Sequence, residues 1–154
     1  MTKPDVRPSD GALRKIARGQ YSEFQGDLKH LFLVGDLRLP TPHPFVRDGR
    51  LEIILCTYDA GDDGLFHWHA DITEYEYVIE GRVGYVDATT GRTEWFDQGD
   101  LSVIAAGCCM KRLVPIAART LALKVPSVPG DKIHCRDCGR DACPSRQTIR
   151  SVAP

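Results

Sequence analysis

Between His30 and Val125 the chain is a succession of short runs rich in β-branched and aromatic residues, each broken by turn residues. The predicted strands are His30 to Val34, Leu51 to Tyr58, Leu65 to His69, Glu74 to Glu80, Arg82 to Asp87, Thr93 to Phe96, Leu101 to Ala105, Met110 to Val114 and Thr120 to Val125. Asp48-Gly49, Glu80-Gly81, Thr90-Gly91 and Gln98-Gly99-Asp100 supply the turn chemistry between them. No helical pattern in this region is long enough to carry a crossover between parallel strands, so the pairing must be antiparallel. Many short antiparallel strands at regular spacing are expected to close into a barrel or jelly roll, which removes or shields the open sheet edges.

One stretch carries the chemistry. In GDDGLFHWHADITEYEYVIEG, Gly61 is followed after five residues by His67, then His69, Glu74 and Gly81. Residues two apart on a strand face one side, so His67 and His69 point together into the barrel while Trp68 points away. The loop Ala70 to Thr73 turns the chain into the next strand, whose first inward side chain is Glu74. Two imidazoles and a carboxylate on neighbouring strands make a facial set of metal ligands with open positions for water, oxygen or substrate. The same parity turns Glu76 inward as a candidate general acid or base. It also turns Arg112 inward, two residues beyond Met110, where a guanidinium can grip a carboxylate or phosphate. Tyr75 and Tyr77 have the opposite parity and belong to outer packing. His30 and His43, ahead of the motif, are expected as surface or core histidines rather than ligands.

These residues resemble the cupin family. Its first motif is G, five residues, H-x-H, three or four residues, E, six residues, G, and every fixed position is matched here. The second family motif is partly present in GDLSVIAAGCCMKRLV: Gly99 and Gly107 match, whereas Ala105 stands for the usual Pro, Val114 for the usual Asn and Met110 for the usual fourth ligand, a His. The resemblance implies an all-β, antiparallel jelly-roll barrel holding one divalent transition metal on His67, His69 and Glu74. Iron leads as the metal, with zinc, nickel, manganese and copper as alternatives. Met110 either fills the pocket floor beside the substrate or offers a thioether to a soft metal, and Cys108 or Cys109 could supply a thiolate instead. A metal-dependent enzyme acting on a small anionic molecule follows, with a non-haem iron dioxygenase the leading form. A metal-dependent isomerase, decarboxylase or lyase, and a non-enzymatic metal or metabolite sensor, are the alternatives. The resemblance also implies a homodimer paired through Lys29 to Leu39.

The remaining sequence frames this domain. At 154 residues the chain suits one core. The expected organisation is an N-terminal segment over 1–27, the barrel over 28–125 and a Cys-rich tail over 126–154. In the first, SDGALRKIARG from Ser9 to Gly19 predicts a short helix. In the tail, IHCRDCGRDAC places Cys135, Cys138 and Cys143 close together, a candidate second site for structural zinc, with free thiols or a disulfide clip as the other readings. Cys56, inside a strand, reads as a small buried hydrophobe. Twenty basic against twenty-one acidic side chains, with no basic run, argue against a nucleic-acid partner. The first ten residues lack the apolar stretch of a secretory signal or membrane anchor, so a cytoplasmic protein with no membrane partner is expected.

Overall fold

The computed structural model describes residues 15–21, 29–38, 41–137 and Cys143. Its strands are β1 (His30–Val34), β2 (Glu52–Tyr58), β3 (His67–His69), β4 (Thr73–Glu80), β5 (Arg82–Asp87), β6 (Thr93–Asp97), β7 (Leu101–Ile104), β8 (Met110–Leu113), β9 (Ala118–Val125) and β10 (Lys132–His134). They form two five-stranded sheets in the orders β1-β2-β9-β4-β7 and β10-β3-β8-β5-β6, with every strand pair antiparallel. This is the jelly-roll arrangement expected from the strand rhythm.

Strict alternation builds the core. In β2, Glu52, Ile54, Cys56 and Tyr58 are buried, and in β9 Ala118, Thr120 and Ala122 answer them across the ladder. Val78, Val83, Tyr85 and Val114 from the neighbouring strands complete the apolar interior. Small residues on β9 leave room for the larger side chains of β2, as close packing between sheet faces requires. On the outer face, Tyr75 pairs with Val103 and Tyr77 with Leu101 across β4 and β7, and all four are exposed, as their parity predicts.

The motif glycines have a steric reason. Gly61, Gly81, Gly99 and Gly107 all have positive φ. At Gly81 a Cβ would also lie 2.1 Å from the Ala117 carbonyl oxygen, so the β4–β5 turn admits no side chain there.

Two sequence expectations are revised. The helix expected from Ser9 to Gly19 is not found in its described part, where Arg18–Gln20 forms only a 3-10 turn; residues 9–14 lie outside the described residues. The barrel also does not stop at residue 125. Lys132–His134 pairs with β3 in the register Lys132↔His69, Ile133↔Trp68 and His134↔His67. Three residues with a single apolar side chain, after Pro and Gly, carry no strand signature of their own; the open edge of β3 induces the strand. Among the described residues, no helix is long and apolar enough to cross a membrane.

Candidate metal centre

The β3 strand presents His67 and His69 and the start of β4 presents Glu74. One ligand atom from each lies within 4.8 Å of the other two. Imidazole rings 67 and 69 meet edge to face with centroids 5.5 Å apart, and His69 Nε2 stands 3.4 Å from Glu74 Oε2. Each ring is oriented from behind. His67 Nδ1 donates to the Leu65 carbonyl at 3.0 Å and His69 Nδ1 to the Asp131 carbonyl at 3.2 Å. These bonds place the Nδ1 protons on the carbonyls and leave each Nε2 as the acceptor nitrogen, the pattern by which backbone carbonyls fix metal-ligating histidines. His69 Nε2 is buried and has no hydrogen-bond partner among the described residues. A buried acceptor facing a carboxylate is costly alone and is satisfied by a cation between them, so the donor set fits a divalent transition metal.

The electrostatics agree. Burial pushes the His67 pKa down to about 4, favouring the neutral imidazole that can bind a metal. Burial opposes charge on Glu74, but contact with His69 and the Lys124 ammonium, 3.7 Å from Oε2, outweigh it and hold the carboxyl at about 2.

Loop chemistry holds the ligands in place. The Asp131 carboxylate accepts the backbone N–H groups of Ala70 at 2.9 Å and of Asp71 and Ile72 at 3.1 Å each, pinning the loop between His69 and Glu74. Gly107 N–H donates to the His69 carbonyl at 2.7 Å, so the surviving part of the second motif closes onto the first.

Other predicted residues fall as follows. Met110 on β8 is the register partner of His67, lines the cavity and packs partly against the core, which fits the floor-filling reading. Arg112 also lines the cavity: its guanidinium lies 3.9 Å over the Tyr58 ring, Nη1 donates to the Tyr58 hydroxyl at 3.2 Å, and Nε has no partner among the described residues. Glu76 does face inward, but it sits in the core behind Tyr58 and Tyr85 and is not a wall of the cavity. The hydroxyls of Tyr58, Tyr85 and Thr120 all donate to its carboxylate, and burial followed by the Glu74 charge raises its pKa to about 7. Tyr58 and Tyr85, in front of it, line the cavity instead. Cys108 lines the cavity, whereas Cys109 does not and is bonded to Cys135, so the expectation that it could join the barrel site is corrected. Cys135 and Cys143 are brought together with Cys109, and Cys138 lies outside the described residues. Cys56 is buried as expected, its thiol pushed up to about 12 by burial.

Sequence reasoning missed Lys124, Lys132 and His30, which line the same cavity. Lys124 continues the inward series Thr120, Ala122 on β9, so parity could have found it. Lys132 arrives on the induced strand. His30, expected as a surface or core histidine rather than a ligand, lies outside the ligand cluster; its ring meets Tyr58 edge to face at 5.9 Å, and desolvation with the charges of Arg112, Lys132 and Lys124 lowers its pKa to about 4.

No protein-family model and no curated protein matches the chain. Solved structures do. The polyketide cyclase RemF from Streptomyces resistomycificus is similar over 66% of this chain and 70% of its own, with 20% identity and a TM-score of 0.52. An RmlC-like cupin from Shewanella frigidimarina matches over 55% of this chain and 72% of its own, at 19% identity and a TM-score of 0.48. The EutQ protein of Clostridium difficile matches over 51% of this chain and 58% of its own, at 26% identity and a TM-score of 0.44. Two antiparallel sheets and the likeness to the cyclase structure show a jelly-roll fold, and within it the H-x-H and Glu motif folds into one cluster of candidate ligands.

Proposed function

We propose that this chain is a cupin-type metal-dependent enzyme acting on a small anionic molecule, with His67, His69 and Glu74 holding the metal and non-haem iron dioxygenase chemistry as the leading form. The observation that carries the reading is the pairing of that ligand cluster with a cationic wall: Arg112, Lys124 and Lys132 line the cavity that holds the triad. A bound divalent metal would supply Lewis acidity and open coordination positions, and iron would add reactivity toward oxygen. Arg112 would grip a carboxylate or phosphate in its planar fork, already oriented by stacking on Tyr58. Lys124 and Lys132 would neutralise the remaining charge, and Met110 and Ile104 would exclude water from the floor. The Tyr58 and Tyr85 hydroxyls, each bonded to Glu76, would hold a proton at the cavity wall. That proton relay favours a second reading, a metal-dependent isomerase or lyase. Pairing of two copies through β1, an edge strand of the first sheet, belongs to the same proposal.

The test is reconstitution of the metal-free protein with Fe²⁺, and separately with Zn²⁺, Ni²⁺ and Mn²⁺, against a panel of small carboxylates and phosphate esters. Oxygen uptake tied to substrate loss, with iron alone, supports the dioxygenase. Turnover without oxygen supports the isomerase or lyase, and tight binding with no turnover on any metal supports the sensor reading. Once a substrate is in hand, Arg112→Met is expected to raise KM about 10- to 100-fold, the worth of one lost charge-assisted hydrogen-bonding group, with kcat much less affected. Steady-state kinetics read this directly, and an unchanged KM would remove Arg112 from the binding site.

A further inference from the structure

The sulphur atoms of Cys109, Cys135 and Cys143 lie within 4.8 Å of one another, and none of the three residues is a wall of the metal centre's cavity. We propose that, in the thiol state, these three residues form a structural zinc site that staples the C-terminal segment to the barrel. This inference does not depend on the enzymatic reading.

Three observations carry it. First, the residues come from separate parts of the chain: Cys109 immediately precedes β8, Cys135 immediately follows β10, and Cys143 lies eight residues further on. A chance encounter of thiols is more expected between sequence neighbours. Second, Cys135 and Cys143 are buried, at 1% and 6% exposure, although the segment around them has few apolar residues to drive burial. A zinc–thiolate cluster supplies the folding energy that such a segment lacks. Third, the Cα atoms of Cys109 and Cys135 are 7.5 Å apart, wider than the roughly 4.4–6.8 Å over which two cysteines are ordinarily bridged. Thiolates at about 2.3 Å from a shared tetrahedral ion stand farther from one another than bonded sulphurs do, and a third thiol is already beside the pair.

The Cys109 and Cys135 sulphurs are joined in this structure. Two electrons and two protons from a cellular dithiol open that bond. Binding of Zn²⁺ then displaces the thiol protons and leaves the sulphurs as thiolates, with no further redox change. The site bears on the barrel by position: Cys109 is next to Met110 on the cavity floor, and Cys135, whose N–H donates to the Phe66 carbonyl at 3.0 Å, follows the strand that lies against His67 and His69. Zinc here would hold β10, and with it Asp131 and Lys132, against β3.

The experiment uses the full chain, purified without a tag and without exposure to oxygen. In His67→Ala/His69→Ala, which removes the barrel site, about one equivalent of zinc per chain is expected to remain, and its X-ray absorption spectrum is expected to show a sulphur shell at about 2.3 Å. Cobalt exchanged into the same variant is expected to give thiolate-to-cobalt charge-transfer bands. Further replacement with Cys143→Ser should then abolish the zinc. The proposal is overturned if the double histidine variant holds no zinc, if the retained zinc has only nitrogen and oxygen neighbours, or if intact-mass alkylation shows Cys109 and Cys135 still joined in protein kept reduced. Because the spectroscopy is made with all cysteines in place, failure of Cys143→Ser to fold does not protect the idea.

Discussion

Replacing His69 with alanine is expected to weaken divalent-metal binding by more than about 100-fold, since even partners behind a metal ligand cost about 10- to 100-fold when removed. His69 is chosen because its Nε2 is buried, faces Glu74 at 3.4 Å and has no other partner among the described residues. Removing the ring leaves only His67 and Glu74 of the cluster, with the Glu74 charge already balanced by Lys124 at 3.7 Å. The fold should survive, because β3 keeps its ladder to β10 through backbone groups. Competition of metal-free protein against a chromophoric chelator measures the effect. Wild-type affinity in the variant would show that the imidazoles and the carboxylate do not act on one ion, and the proposed enzyme would lose its basis.

Asp131→Ala is expected to be the more damaging change to the whole protein. Its carboxylate accepts three successive backbone N–H groups, those of Ala70, Asp71 and Ile72, in a nearly solvent-free setting. Losing that acceptor leaves buried donors unmatched, each costing about 1–3 kcal/mol, so a loss of about 3 kcal/mol or more of folding stability is expected. Metal affinity should fall as well, by about 10- to 100-fold, because the loop these bonds hold joins His69 to Glu74. Asp131→Asn keeps one carbonyl acceptor and should lie between wild type and alanine. Urea unfolding of the metal-free protein separates the first effect from the second, which metal titration of the folded variant reports. Equal stability of all three proteins would show that the loop is held by something other than this carboxylate.

Both predictions turn on a distinction between what can be read along a strand and what cannot. The β1 and β5 boundaries, the inward pairing of His67 with His69 and the outward placement of Tyr75 and Tyr77 were legible, because the two-residue repeat of a strand fixes side-chain direction locally. The same repeat put Glu76 and Arg112 on the inner face, and applied within the predicted strand Thr120 to Val125 it also points Lys124 inward. Parity gives direction but not depth. Glu76 and Arg112 both point inward, yet one is covered by Tyr58 and Tyr85 while the other reaches the cavity, and only the packing of opposite sheets decides which. The contact of His30 with Tyr58 was not legible for a related reason: nothing near it in the chain shows that β1 begins beside Tyr58.

Sequence alone determined the strand rhythm, the turn glycines and the convergence of His67, His69 and Glu74, all of which depend on residues close together in the chain. The tertiary structure decided the rest: that Asp131 braces the ligand loop from about sixty residues away, that Lys132 and Lys124 give the cavity its positive wall, and that Cys109 meets the C-terminal cysteines rather than the barrel site. The relations of Asp131 and Lys132 arise when an open strand edge recruits a segment with little preference of its own, and such recruitment depends on the completed sheet rather than on local sequence.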